Sequence, residues 1–198
     1  MTVEQLFTCR TCGIEKPAKD FQADRRMKHG IIYRCKKCRC KKRAENGSYI
    51  KEKLRKYSYR TGGNSIHITV EELQKVLKQE TCSYCGCTLT DVLNESTEAT
   101  VDHVYTISKS YGGVNLPINI MPACRGCNAS KHNDHIYDFY QRSEKFTPEL
   151  WTEFVSEFGR RLMKRDLTDL EVEQLKRNLA DEADDLRRNA ERRAVATG

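Results

Sequence analysis

The chain has 198 residues, 38% hydrophobic and 32% charged, which is enough for one modest domain or two small ones and too polar for a single large apolar core. No segment approaches the roughly 20 apolar residues that cross a bilayer, and the N-terminus Met1-Thr2-Val3-Glu4-Gln5-Leu6-Phe7 lacks the basic region and apolar run of a secretory leader. A cytoplasmic protein without membrane partners is expected, so the ten cysteines read as metal ligands rather than disulfides.

Residues 1–43 form the first section, a small zinc module framed by Cys9, Cys12, Cys35 and Cys38, with turns marked by Gly13, Pro17 and Gly30. Basic charge concentrates here and just beyond. Residues 1–65 carry 18 lysines and arginines against 6 acids, whereas the net charge of the whole chain is only +7. Arg34, Lys36, Lys37, Arg39, Lys41, Lys42 and Arg43 form the densest run, and such a stripe suits a polyanion because each neutralised phosphate releases counterions. A solvated charged face is the competing account. Residues 44–65 continue as a basic segment, a helix on DNA or a linker, and Thr61-Gly62-Gly63-Asn64-Ser65 marks a boundary.

The third section, residues 66–140, opens on a capping box, Thr69 to Glu72, with Leu73, Val76 and Leu77 at helical spacing and a helix end expected near Glu80. A strand-like run, Thr100 to Val104, precedes a loop with Gly112-Gly113; a second run, Asn119-Ile120-Met121, leads to Cys124 and Cys127 and a helix towards Tyr140. The order is strand, loop, strand, helix. Residues 141–198 form a helical section. Thr147-Pro148 starts one helix with Leu150, Phe154, Phe158 and Leu162 on a face, and a capping box from Thr168 to Glu171 starts another with Val172, Leu175, Leu179 and Leu186. These stripes are narrow, and they fit packing against the body of the protein or a homodimer.

Two paired knuckles can be written: Cys9 and Cys12 with Cys35 and Cys38, and Cys82 and Cys85 with Cys124 and Cys127. Four thiolates suit a closed tetrahedral Zn²⁺ site, so two structural zinc ions are expected and the chemistry must lie elsewhere. Cys40 and Cys87 each follow a ligand by two positions, so exchange with Cys38 or Cys85 is an open alternative. Between the second site's knuckles lies Asp102-His103, and Asn128 follows its last cysteine. Asp102 and Asn128 offer the hard oxygens that suit Mg²⁺ or Mn²⁺, and His103 has the one side chain here that is a neutral base near pH 7. Taken alone, His103 reads better as a buried, hydrogen-bonded core histidine, and only its company of Asp102, Asn119, Asn128 and the zinc frame favours a base. Adjacent residues of a strand face opposite ways, so Asp102 and His103 can act together only at a strand end or irregularity.

The residues Cys82-Ser83-Tyr84-Cys85, Val101-Asp102-His103-Val104, Gly112-Gly113, Asn119-Ile120-Met121-Pro122 and Cys124-Arg125-Gly126-Cys127-Asn128-Ala129-Ser130-Lys131 resemble the HNH, or ββα-metal, endonucleases, most closely those like phage recombination endonuclease VII. The cysteines of the first section resemble an extra zinc module found before HNH domains in some phage proteins. The resemblance implies an α+β fold: a small zinc-bound ββα-metal domain, preceded by a zinc-ribbon-like module and followed by α-helices. It implies a DNA endonuclease in which His103 is the general base, Asp102 and Asn128 hold the catalytic metal, and Asn119 holds the loop that orients the base. Lys131, on the helix face of Asn128, is expected on a flanking phosphate beside Arg34, Lys36, Lys37, Lys41, Lys42 and Arg43, while His132 and His135 fit surface or packing roles better than catalysis. Two other function classes compete: a non-catalytic zinc module that binds nucleic acid, and an interaction subunit whose helices at 147–190 act.

Overall fold

The computed structural model describes residues 5–45, 48–60, 68–91, 95–107 and 114–197. Gly112-Gly113 and Thr61–Ser65 lie outside the described residues, as do the side chains of Arg43, Lys53 and Arg60. The chain divides into two units, Met1–Arg55 and Lys56–Gly198.

In the first unit, β1 (Leu6–Thr8) pairs antiparallel with β2 (Glu15–Pro17), and β3 (Phe21–Ala23) pairs antiparallel with β4 (Ile31–Cys35). The turn between β1 and β2 carries Cys9 and Cys12 and closes through Gly13, whose φ of 70° is one that a side chain disfavours. α1 (Lys36–Glu45) follows β4 directly, so Cys35 ends a strand and Cys38 lies in the first helical turn. The buried core is Cys9, Phe21, Ile31 and Cys35, with Phe7 and Cys38 against it. So few apolar groups cannot balance chain entropy, and a module of this size needs a metal or another staple. α2 (Ser48–Arg60) makes the basic segment helical over its described length.

The second unit begins with α3 (Val70–Leu77), whose capping box is formed in both directions between Thr69 and Glu72. This helix ends three residues short of the expected Glu80. β5 (Ala99–His103) pairs antiparallel with β6 (Ile120–Cys124) in regular register, Asp102 opposite Met121 and His103 opposite Ile120. Cys124 then caps α4 (Arg125–Lys131), its sulfur accepting from Cys127 N. The single helix expected towards Tyr140 is broken at His132, which has φ 51°, and resumes as α5 (Ile136–Arg142) with His135 as its cap. α6 (Pro148–Met163) starts at the Thr147 cap, and α7 (Asp169–Thr197) starts at the Thr168 capping box.

The last two helices complete the core of this unit. Trp151, Phe154, Val155 and Phe158 of α6 and Val172 and Leu179 of α7 belong to the same buried cluster as Tyr84, Val104, Met121 and Phe139. Trp151 and Phe154 stack at 5.6 Å, and Tyr84 meets Phe139 edge-on at 5.4 Å. The buried face is wider than the sequence stripe on α6 and shifted on α7: Trp151, Val155 and Ala183 are buried, whereas Leu162 and Leu186 are 40% and 52% exposed.

Candidate active site

Two groups of four cysteines assemble among the described residues: Cys9, Cys12, Cys35 and Cys38, and Cys82, Cys85, Cys124 and Cys127, the sulfurs of each lying within 4.8 Å of one another. Either group could hold a zinc ion. Cys40 and Cys87 belong to neither group, although Cys87 lies beside Cys85 and Cys124. Backbone N–H groups point at the sulfurs, with Thr11 and Cys35 donating to Cys9 at 3.4 and 3.2 Å and Tyr84 donating to Cys82 at 3.5 Å. Burial raises the Cys9 thiol, but N–H donation from Cys35, Cys12 and Thr11 outweighs it and brings the group down to about 5. The Cys127 thiol brings Cys82 to about 5 in the same way, against burial. Burial and the neighbouring thiols push Cys38, Cys124 and Cys127 up instead, so within each group one sulfur gives up its proton first.

The second cysteine group is the frame of the ββα element, because Cys124 is both the last residue of β6 and the cap of α4. Its knuckle turn closes at Gly86, φ 65°, and Ser83 N donates to Pro122 O at 3.0 Å, tying the first knuckle to β6. Four polar residues take their positions from this frame: Asp102 and His103 on β5, Asn119 just before β6, and Asn128 on α4.

Asp102 is 5% exposed, and Tyr84 OH and Lys131 Nζ contact its Oδ2 at 2.6 and 3.1 Å. Burial, with the carboxylate beside it, pushes the Tyr84 phenol well above its ordinary range, so Tyr84 remains a donor. Lys131 has no exposed surface, and its ammonium also donates to the backbone oxygen of His103 at 2.8 Å. Lys131 thus shares the helix face of Asn128 as expected, but that face meets β5, and its ammonium is spent on Asp102 and the His103 backbone rather than reaching a flanking phosphate. Asn128 donates through Nδ2 to Thr100 Oγ1 at 3.0 Å and to Val101 O at 3.1 Å, which locks its amide against β5.

His103 is the last residue of β5 and is 7% exposed, with Nε2 2.9 Å from Asn115 Oδ1. Asp102 and His103 thus take different partners, as strand alternation requires. Asn119, at the end of a 3-10 turn (Pro117–Asn119), accepts from Tyr105 N at 2.7 Å and donates to Tyr105 O and Val114 O, both at 2.8 Å. One amide so joins the backbone two residues after His103 to the backbone just before Asn115. Tyr105 OH in turn donates to Glu182 Oε2 at 2.8 Å, which anchors the same loop to α7. His135 also meets Glu182, at 3.4 Å.

Residues 82–134 match the family model described as HNH endonuclease. The match supports nuclease activity in general, and the matched segment contains β5, β6, α4 and the second cysteine group. Among solved structures, the crystal structure of the Type II-C Cas9 enzyme from Actinomyces naeslundii is similar at 20% sequence identity and a TM-score of 0.33, over 72% of this chain and 16% of that one. The chain thus spans 16% of the length of that enzyme. No curated protein matches the chain. No helix of the described residues is long and apolar enough to cross a membrane.

Tyr84 and Asn115 were not singled out by sequence reasoning. Tyr84 sits inside the Cys82 to Cys85 knuckle, so its nearness to Asp102 follows once that knuckle is placed beside β6. Asn115 has no local signal, since only the folded loop brings it to His103.

Of the dense basic run, all but Arg34 lie on α1, where Lys36, Lys37, Lys41 and Lys42 are exposed. Lys36 Nζ donates to Lys19 O at 2.6 Å, and Arg34 Nε donates to Thr11 Oγ1 at 3.0 Å, beside the Cys9 to Cys12 knuckle.

Proposed function

We propose that this protein is a metal-dependent DNA endonuclease that hydrolyses phosphodiester bonds, with His103 as general base and Asp102 and Asn128 as ligands of a Mg²⁺ or Mn²⁺ ion. The observation that carries the reading is the HNH match at residues 82–134, on a strand-loop-strand-helix element that holds Asp102, His103, Asn119 and Asn128.

The donor set fits such an ion. Asn128 commits its nitrogen to β5, leaving the carbonyl oxygen as its ligand atom, and the contacts of Asp102 fall on Oδ2, leaving Oδ1. Two hard oxygens suit Mg²⁺ or Mn²⁺, which complete their shells with water and phosphate. When bound, the ion supplies charge neutralisation at the phosphoryl and leaving 3′ oxygens. His103 removes a proton from the attacking water, a role suited to an imidazole, the side chain that can act as a neutral base near pH 7. Asn119 holds the loop on both sides of the base, so the ring meets the substrate in one orientation. Arg34, Lys36, Lys37, Lys41, Lys42 and Arg43 of the first unit neutralise phosphates of the DNA.

A second reading draws on the engagement of Asp102 Oδ2 by both Tyr84 and Lys131. Such a carboxylate also suits a non-catalytic, zinc-dependent nucleic-acid-binding protein. Incubation with supercoiled plasmid separates the two. The endonuclease nicks or linearises plasmid in Mg²⁺ or Mn²⁺ and stops on addition of EDTA, whereas the binding protein retards plasmid in gels without cutting it under either condition.

A further inference from the structure

We propose that Asn115 selects the tautomer of His103, holding the neutral ring with its proton on Nε2 and its lone pair on Nδ1. This rests on His103 being the general base, and it identifies which ring nitrogen accepts the proton and which residue makes it so.

An amide oxygen can only accept. At 2.9 Å from Asn115 Oδ1, His103 Nε2 must therefore donate, and a neutral imidazole has one proton to place. Both residues are buried, Asn115 at 2% exposure and His103 at 7%, so water competes weakly for the bond. The loop is held for this contact. Asn119 Nδ2 fixes Val114 O at 2.8 Å, immediately before Asn115, while its other bonds fix Tyr105, two residues after His103.

The other end of the Asn115 amide points to the same use. Its Nδ2 is buried with no hydrogen-bond partner among the described residues, and a buried unpartnered donor destabilises a fold. A leucine would fill a similar volume without that cost, so the oxygen is what the position retains. In the reaction, the O–H bond of the attacking water breaks and its proton goes to Nδ1. The water oxygen forms the new bond to phosphorus, and the bond to the leaving 3′ oxygen breaks with its electron pair. As the ring becomes cationic, the bond from Nε2–H to Asn115 strengthens, because a charged donor binds an amide oxygen more tightly than a neutral one. Asn115 is a positioning residue and does not itself touch the substrate.

The test uses the full-length, zinc-loaded protein labelled with ¹⁵N-histidine, with long-range ¹H–¹⁵N spectra recorded at about pH 8.5, where an ordinary imidazole is neutral. The His103 signals are assigned by their loss in H103Q. The expected result is the Nε2–H tautomer in the wild type, the same tautomer in N115D, which keeps an oxygen acceptor, and a mixture in N115L. An Nδ1–H tautomer in the wild type, or an unchanged Nε2–H tautomer in N115L, overturns the proposal. In plasmid cleavage, N115L is expected to lose about 10- to 100-fold in kcat with KM little changed, and cleavage at the wild-type rate also overturns it. A wild type that never cleaves defeats the nuclease reading instead, while the spectra still decide the tautomer.

Discussion

The ammonium of Lys131 lies 3.1 Å from Asp102 Oδ2, with Lys131 wholly buried and the Asp102 side chain 7% exposed. A buried ion pair adds little net stability when both partners are present, but removing one leaves an uncompensated charge. Lys131→Met is therefore expected to cost about 3–5 kcal/mol in urea denaturation. The double variant Lys131→Met with Asp102→Asn should recover much of that loss. Strict additivity of the two single changes would contradict the pairing.

Each four-cysteine group predicts one zinc ion. Elemental analysis of protein purified without added metal should give two zinc ions per chain, and Cys82→Ser or Cys9→Ser should each remove one. Because zinc needs thiolates, both should be released as pH falls and protons compete for sulfur. A single ion per chain would show that one cluster is a set of ordinary thiols.

Asn119 predicts a local loss that spreads to the site. Asn119→Ala removes three hydrogen bonds to the backbone of Tyr105 and Val114, and an unsatisfied buried backbone group costs about 1–3 kcal/mol. Thermal denaturation should register that destabilisation. Amide exchange should quicken at Tyr105 more than at Cys124, and uniform quickening would argue against a specific role in the loop.

Acid should weaken the start of α7. Arg165, with the Thr168 backbone and hydroxyl, holds the Glu171 carboxyl down to about 2, below the ordinary value of about 4.3. A depressed folded-state pKa means the contribution is complete above about pH 4.3 and is lost as pH falls towards about 2. Wild-type melting temperature should therefore drop over that window by more than that of Glu171→Gln. Equal slopes would show that the carboxylate contributes nothing there.

Local chemistry was legible in the sequence where one residue decides it. Thr69 and Thr168 form the capping boxes expected of them, Thr147-Pro148 starts α6, and the eight cysteines gather in the two expected fours. Residues that depend on depth were not legible. Spacing correctly puts Lys131 on the α4 face of Asn128, but spacing cannot say that this face meets β5 rather than solvent. The break at His132 did carry a local signal, because Asn133 and Asp134 directly after it favour turns and caps over a helix interior. The C-terminal stripes left packing and self-association equally open, and the aromatic cluster of Tyr84, Phe139, Trp151 and Phe154 places α6 against the ββα element.

Single-turnover cleavage of supercoiled plasmid by the wild type and by His103→Ala, matched for zinc content and melting temperature, bears most directly on the catalytic claim. The account predicts Mg²⁺- or Mn²⁺-dependent cutting by the wild type and a loss of about 100- to 10,000-fold in the variant. Cutting by His103→Ala at the wild-type rate would contradict it.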